Sequence, residues 1–214
     1  MKLKILCDFD GTIAIDDISM LVLEKFADRD WRQYEDLVDN GIINIEECLT
    51  LQFNLVKTSK KTIIEYVHDK IQIRDGFTKF VEFCSLKKLE LIIVSAGLDF
   101  VIDKVQNDLN IDLPVVVPTS HFNNKLSFTF PNRVSKEAED FKADEVLKWK
   151  KQGHQVLFIG DGGSDYFGAV HSDIVYAVKS KSLENFLQRA GKTNLYSFIN
   201  FDQIIHELKV KPHF

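Results

Sequence analysis

Residues 3–12 read Leu3-Lys4-Ile5-Leu6-Cys7-Asp8-Phe9-Asp10-Gly11-Thr12. A mostly apolar run leads directly into an acidic turn. Leu3 to Phe9 predicts a buried strand, and Asp-Gly ends it. In extended chain, residues i and i+2 point the same way. Asp8 and Asp10 are therefore expected to face one site at the carboxyl end of the strand. That is where ligands bind in open α/β sheets. Two carboxylates this close repel, so they need a cation, a shared proton, or both. Gly11 lets the chain turn sharply. Taken alone, the pair can equally be a polar turn after a strand.

Four similar apolar runs follow: Glu90 to Ser95, Leu113 to Pro118, Gln155 to Ile159 and Asp173 to Val178. Helical patterns lie between most of them, over Phe77 to Lys88, Asp99 to Leu109, Glu139 to Lys151 and Ser164 to Val170. Strands alternating with helices imply an α/β protein with a parallel sheet. Unbroken apolar runs suit strands covered on both faces. One interval, Asp17 to Arg74, holds no convincing strand. Its apolar residues recur at helical spacing, as in Leu21, Leu23 and Phe26, then Ile45, Leu49 and Phe53. Asn44-Ile45-Glu46-Glu47 has the capping-box pattern of a helix start. Three or four helices are expected there, with Gly41 at a bend. Ser120 to Phe130, with Asn123-Asn124-Lys125 in its middle, predicts a β-hairpin.

With 214 residues, the chain is expected to form one domain, or one core domain with a modest insertion. Hydrophobic residues at 45% and charged residues at 28% exclude a disordered chain or a collagen-like one. The net charge of −5 argues against nucleic acid and anionic membrane as main partners. Cys7, Cys48 and Cys84 are too few and too scattered for a disulfide framework, and an odd count suits a reducing compartment. The N-terminal apolar run is too short for a signal peptide, and no stretch is long enough to span a membrane. A cytoplasmic protein is the expectation.

Two further strand ends and one helix carry candidate chemistry. Gly160-Asp161-Gly162-Gly163-Ser164-Asp165 follows the fourth strand. Its spacing is not that of a dinucleotide loop, and an acid in its second position would repel a pyrophosphate. A carboxylate cluster suits a hard cation such as Mg²⁺. Ser95-Ala96-Gly97 ends the second strand, offering a hydroxyl and backbone N–H groups ahead of a helix. Lys142 lies on a predicted helix. Each feature alone has a bland reading, as a turn or as solvated surface.

Together, Asp-x-Asp, Ser, Lys and Gly-Asp-x-x-x-Asp occur in an order that resembles the haloacid dehalogenase superfamily of phosphatases. The resemblance covers essentially the whole chain. It implies a doubly wound, mostly parallel sheet formed by residues 1–16 and 75–214, with a small helical cap, residues 17–74, inserted after the first strand. It implies that Asp8 is the nucleophile and that Asp10 is a general acid with a raised pKa. Mg²⁺ would be held by Asp8, the backbone carbonyl of Asp10 and Asp161, with Asp165 either coordinating it directly or orienting metal-bound water. The substrate phosphate would meet Ser95, the N–H of Ala96 or Gly97, Lys142, and the turn residues Gly11 and Thr12.

Within that superfamily the chain resembles the phosphoserine phosphatase branch, and more closely the phosphatases of a methionine-salvage enol-phosphate. Phe26-Ala27 with Trp31, Ile73-Arg74-Asp75-Gly76-Phe77, and Ser95 through Phe100 carry that likeness. The implied partner is a small phosphorylated metabolite. Asp17 falls near the acid with which phosphoserine phosphatases grip an amino acid. Gln52 stands about where they carry a cap arginine, and Arg29 and Arg32 are the other candidates for that role. Val134-Ser135-Lys136-Glu137-Ala138 replaces a cysteine-rich stretch of the salvage enzymes. A phosphotransferase and a non-catalytic phosphate sensor remain open, although a sensor has no need of Asp10.

Overall fold

The computed structural model describes residues 2–210. The strands are β1 (Leu3–Cys7), β2 (Glu90–Val94), β3 (Val115–Val116), β4 (Thr119–Phe122), β5 (Leu126–Thr129), β6 (Gln155–Gly160), β7 (Ile174–Val178) and β8 (Leu195–Phe198). Six of them form one sheet in the order β3-β2-β1-β6-β7-β8, every pair parallel. This is a doubly wound sheet. Strand order reverses between β1 and β6, which opens a crevice at their carboxyl ends.

The helices are α1 (Ile18–Phe26), α2 (Gln33–Asp39), α3 (Ile45–Phe53), α4 (Lys60–Val67), α5 (Phe77–Lys87), α6 (Asp99–Leu109), α7 (Phe141–Lys151), α8 (Tyr166–His171), α9 (Ser182–Arg189) and α10 (Phe201–Val210). Alternate residues of β1 serve opposite faces of the sheet. Ile5 and Cys7 pack with Phe77, Phe80, Phe100 and Phe201 from α5, α6 and α10. Leu6 packs with Phe141, Val146, Ala169 and Leu183 from α7, α8 and α9. Both faces are dry, which accounts for the unbroken apolar runs. Among the described residues, no helix is long and apolar enough to cross a membrane.

Two expectations need correction. The sheet has a sixth strand, β8, that the apolar runs do not reveal. It is a short edge strand with a half-buried start, Leu195-Tyr196, so its sequence carries no long apolar run. The third strand, expected over residues 113–118, pairs only at Val115–Val116.

The strand-free interval folds as four helices, α1 to α4. Asn44 and Glu47 close the capping box, each side chain accepting the other's backbone N–H at 2.9 Å. Gly41 takes positive φ at the bend before α3. Trp31 is buried, so it belongs to the packing of this segment. The chain leaves the sheet and returns to it side by side. Ala14 pairs with Ile73, Ile15 N–H donates to Gln72 O at 2.8 Å, and Arg74 N–H donates to Ile13 O at 2.8 Å. The expected hairpin is β4–β5, and it ties the helical segment down from the other side. Leu126 N–H donates to Val56 O at 2.8 Å, and the Phe53 and Phe128 rings meet edge-on.

Helix α7 begins at Asp140, whose carboxylate accepts the Ala143 N–H at 2.7 Å. Burial pushes its pKa up to about 6, against the pull of that N–H and of Lys142, while Glu46 adds to the rise. The folded state therefore binds this proton more tightly than the unfolded chain. Its contribution to stability is complete below about pH 4 and is lost as pH rises through about 6. Asp140→Asn keeps the cap and removes the titration. Urea unfolding should find the variant equal to wild type near pH 4. At pH 7.5 it should be more stable, by on the order of 1–3 kcal/mol.

Candidate active site

Four chain segments converge on the crevice between β1 and β6. Asp8 follows β1 directly, and its N–H continues the ladder to Ile159 O at 2.8 Å. Asp161 and Asp165 follow β6. Lys142 sits on the first turn of α7. Its ammonium donates to Asp8 Oδ1 at 2.7 Å and to Asp165 Oδ1 at 2.6 Å. All three of these side chains are almost completely buried. The lysine that sequence alone places on a solvated helix is thus the centre of an ion triad. Burial works against its charge, but Asp165 and Asp8 outweigh burial and raise its pKa.

Asp165 also braces its own loop. Its Oδ2 accepts the N–H groups of Asp161 at 2.9 Å and Gly162 at 3.1 Å. This leaves the Asp161 carboxylate directed at Gly11, where a Cβ would collide with it. Gly11 also has φ of +74°, so both conformation and space require glycine there. Lys181, just after β7, lies 3.8 Å from Asp161 Oδ2. Burial and then Asp165 raise the Asp161 pKa to about 7, against the pull of Lys181 and Lys142. Burial and Asp165 likewise push Asp8 well above the usual carboxylate range, while Lys142 opposes them.

One oxygen from each of Asp8, Asp161 and Asp165 can lie within 4.8 Å of the others. Three carboxylates in that space are a hard, oxygen-rich donor set that fits Mg²⁺. The Asp10 side chain is not part of this set. Its carboxylate turns to the start of α1, accepting Ser19 Oγ–H at 2.7 Å and Ile18 N–H at 3.2 Å. The two acids thus have separate hydrogen-bond partners. Burial raises the Asp10 pKa to about 7, with the Asp17 charge adding and the two hydrogen bonds opposing. The raised value expected from the sequence is present.

Ser95 ends β2 and is fully buried. Its Oγ accepts the Gly97 N–H at 3.0 Å, so that donor is directed inward. A Cβ on Gly97 would strike the Asp10 carboxylate and crowd the Ser19 and Ser95 hydroxyls. Ser95-Ala96-Gly97 and Asp10 therefore share one wall. Thr12 is buried, with no hydrogen-bond partner for its Oγ1 among the described residues. Asp17 caps α1 through Met20 N–H at 2.7 Å. Gln52 is buried on α3, and its side chain bonds to none of the residues above. Arg32 is held by Glu24 at 2.8 Å, and Arg29 lies beside Asp28 on the surface.

Sequence reasoning missed three contributors. Ser19 and Lys181 carry no motif signal. Arg74 lies in the conspicuous Ile73 to Phe77 stretch, and it donates to the carbonyls of Gly11 at 2.6 Å and Thr12 at 2.7 Å.

Known proteins resemble this chain in sequence and in fold. A haloacid dehalogenase-like hydrolase family model matches residues 5–167. A 2-hydroxy-3-keto-5-methylthiopentenyl-1-phosphate phosphatase of Brevibacillus brevis is 29% identical over 183 residues, covering 82% of each chain. The protein of that name from Bacillus cereus (strain AH820) is 24% identical over 217 residues, covering 99% of this chain and 96% of the relative. Among solved structures, a phospho-aspartyl intermediate analogue of phosphoserine phosphatase superposes with a TM-score of 0.71 at 20% identity, covering 96% of this chain and 97% of that one. A phosphoserine phosphohydrolase-like protein from Francisella tularensis superposes with a TM-score of 0.68 at 21% identity, covering 96% and 99%. The family model spans most of the chain, including all four segments that meet in the crevice, and the chain belongs to the haloacid dehalogenase-like hydrolase family.

Proposed function

We propose that the chain is a Mg²⁺-dependent phosphatase that hydrolyses a small phosphorylated metabolite through an aspartyl-phosphate on Asp8. The observation that carries this reading is the buried Lys142 triad beside the three-carboxylate set. A carboxylate, a fixed cation and hard oxygen donors drawn from the ends of β1 and β6 and the start of α7 support it. Asp8, Asp161, Asp165 and the backbone carbonyl of Asp10 would hold Mg²⁺. When bound, the ion would offset negative charge on the phosphoryl oxygens.

The chain's own residues supply the rest. Asp8 attacks phosphorus through a carboxylate oxygen, forming the Asp8–phosphorus bond as the bond to the leaving oxygen breaks. Asp10 gives its proton to that leaving oxygen. Asp10 then takes a proton from water as the water oxygen bonds to phosphorus, and the bond to Asp8 breaks. Inorganic phosphate leaves and Asp8 is regenerated. Ser95 and the Ala96 N–H hold the phosphate, with Lys142 balancing its charge. Phosphoryl transfer needs mainly positioning and charge stabilisation, which so small a set can provide. The α1 to α4 segment acts as a cap over this site, keeping water from the reaction. Net charge and site chemistry both point to a small-molecule partner, not to nucleic acid.

With p-nitrophenyl phosphate and Mg²⁺, wild type should release nitrophenol. EDTA should abolish the release, and Mg²⁺ in excess should restore it. Asp8→Asn should lower kcat by at least about 10³-fold without altering the melting temperature by more than a few degrees. Turnover that survives Asp8→Asn overturns the mechanism.

Asp10→Asn separates the two steps. An alkyl phosphate needs a protonated leaving oxygen, whereas nitrophenolate leaves unaided. The variant should lose about 10²–10⁴-fold in the first step with an alkyl phosphate, and clearly less with the aryl ester. Equal losses in single-turnover assays would remove Asp10 from the acid role.

For the substrate, we infer a methionine-salvage enol-phosphate, the reading supported by the names of the relatives and by the neutral Gln52. Phosphoserine is the second reading, supported by the fold likeness to its phosphatases. A substrate carboxylate needs a well-placed cation such as a bidentate arginine, and α3 has none. Side-by-side kcat/KM values should favour the enol-phosphate by at least about 10-fold. Strong phosphoserine turnover would reverse the choice.

A further inference from the structure

Arg74 is a buried cation that the proposed reaction does not use. It is 8% exposed. Its guanidinium donates through Nε to Thr12 O at 2.7 Å, through one terminal nitrogen to Gly11 O at 2.6 Å, and through the other to Ile199 O at 3.2 Å. Among the described residues it bonds to no carboxylate. That is unusual for a buried arginine, which ordinarily pairs with an acid. Its three arms reach the two carbonyls that directly follow Asp10 and the segment leading into α10. Its own backbone is fixed where the helical segment rejoins the sheet, through Arg74 N–H to Ile13 O.

We propose that Arg74 is a positioning residue for the reaction, clamping the turn that carries Asp8 and Asp10 from behind. The argument rests on what this turn must hold. Asp8 and Asp10 have different hydrogen-bond partners, Lys142 and Ser19. Gly11 supplies the required conformation but no side chain to stiffen it, and Thr12 Oγ1 bonds to nothing among the described residues. The turn is closed by Ala14 N–H to Phe9 O at 2.9 Å and by Gly11 N–H to Asp16 O at 3.2 Å, and neither bond uses the Gly11 or Thr12 carbonyl. The planar fork of Arg74 holds two consecutive carbonyls at once and leaves the opposite edge of the turn to the acids. Lysine would keep the charge and lose the fork. The clamp also joins the return of the α1 to α4 segment to the nucleophile turn, so a shift of one is felt by the other. The proposal rests on the phosphatase reading of Asp8 and Asp10.

The test compares wild type, Arg74→Lys and Arg74→Ala with p-nitrophenyl phosphate and Mg²⁺. Melting curves and amide hydrogen exchange over residues 9–14 are followed in parallel. In Arg74→Lys, kcat should fall on the order of 10–100-fold while KM stays within about 2-fold, because the clamp touches the turn and not the phosphate. Exchange over residues 9–14 should quicken, with the rest of the sheet unchanged. Millimolar guanidinium should restore part of the lost kcat in Arg74→Ala. Wild-type kcat in Arg74→Lys overturns the proposal, as does a KM that rises in proportion to the lost rate. A variant that melts below the assay temperature, and whose fold guanidinium restores without turnover or does not restore at all, makes Arg74 a structural strut and also overturns it. If wild type itself hydrolyses no phosphomonoester, the reading of the site fails separately. Hydrogen exchange over residues 9–14 then decides the clamp, and unchanged exchange in Arg74→Lys rejects it.

Discussion

Lys142 is the constraint on which the site depends. Two carboxylates, Asp8 and Asp165, are almost wholly removed from water and face one another's charge. Unpaired, either would be a buried ion with no compensation, and breaking such a pair costs about 3–5 kcal/mol. The single ammonium bonds both. It can do so because α7 starts where it does, with Asp140 capping the helix two residues earlier. Glu46 of α3 accepts the next N–H, from Phe141. The start of α7 is thus held both by its own cap residue and by the helical segment above the sheet.

The sheet order does the rest of the placement. With β1 and β6 adjacent and the chain wound outward from them, the loops after both strands open into one crevice. Glycines then set how close the walls can come. Gly11 admits the Asp161 carboxylate and Gly97 admits that of Asp10, with no room for a methyl group at either. The overall charge takes on a different meaning here. Asp8, Asp10, Asp161 and Asp165 account for four of the five excess negative charges. The rest of the chain is close to neutral. In the proposed reaction, Lys142 and a divalent cation would offset most of this charge, which lets an acidic composition serve an anionic substrate.

Much of this was legible from residue order, for physical reasons. Strands buried on both faces leave unbroken apolar runs, and a polar residue right after such a run lies at the strand's carboxyl end. Asp8, Ser95 and Asp161 could be placed that way. Asn44 announced its helix through the capping box. Edge strand β8 was not legible, because half-exposed residues carry no apolar run. Nor was the burial of Lys142, which is decided by two acids 134 and 23 residues away in sequence. Spacing suggested that Asp8 and Asp10 point the same way. Spacing does not say that the two take different hydrogen-bond partners, Lys142 and Ser19, which come from distant segments.

In the proposed reaction two nearly adjacent acids do opposite work. A nucleophile must be ionised when the phosphate arrives, and a general acid must still hold its proton. In water the two aspartates would titrate together. Burial raises the pKa of both, but Asp8 alone has an ammonium ion working against that rise, whereas Asp10 has a neutral hydroxyl and one backbone N–H. Asp17 then adds a like charge beside Asp10 and none of its own neighbours offers a bonded cation. A pKa near neutrality is where a proton can be both given and retaken at useful rates. Pairs of carboxyl groups whose surroundings drive them apart mark acid and nucleophile in other hydrolases. In this chain the two surroundings meet at one turn, whose Gly11 and Thr12 carbonyls are held by Arg74.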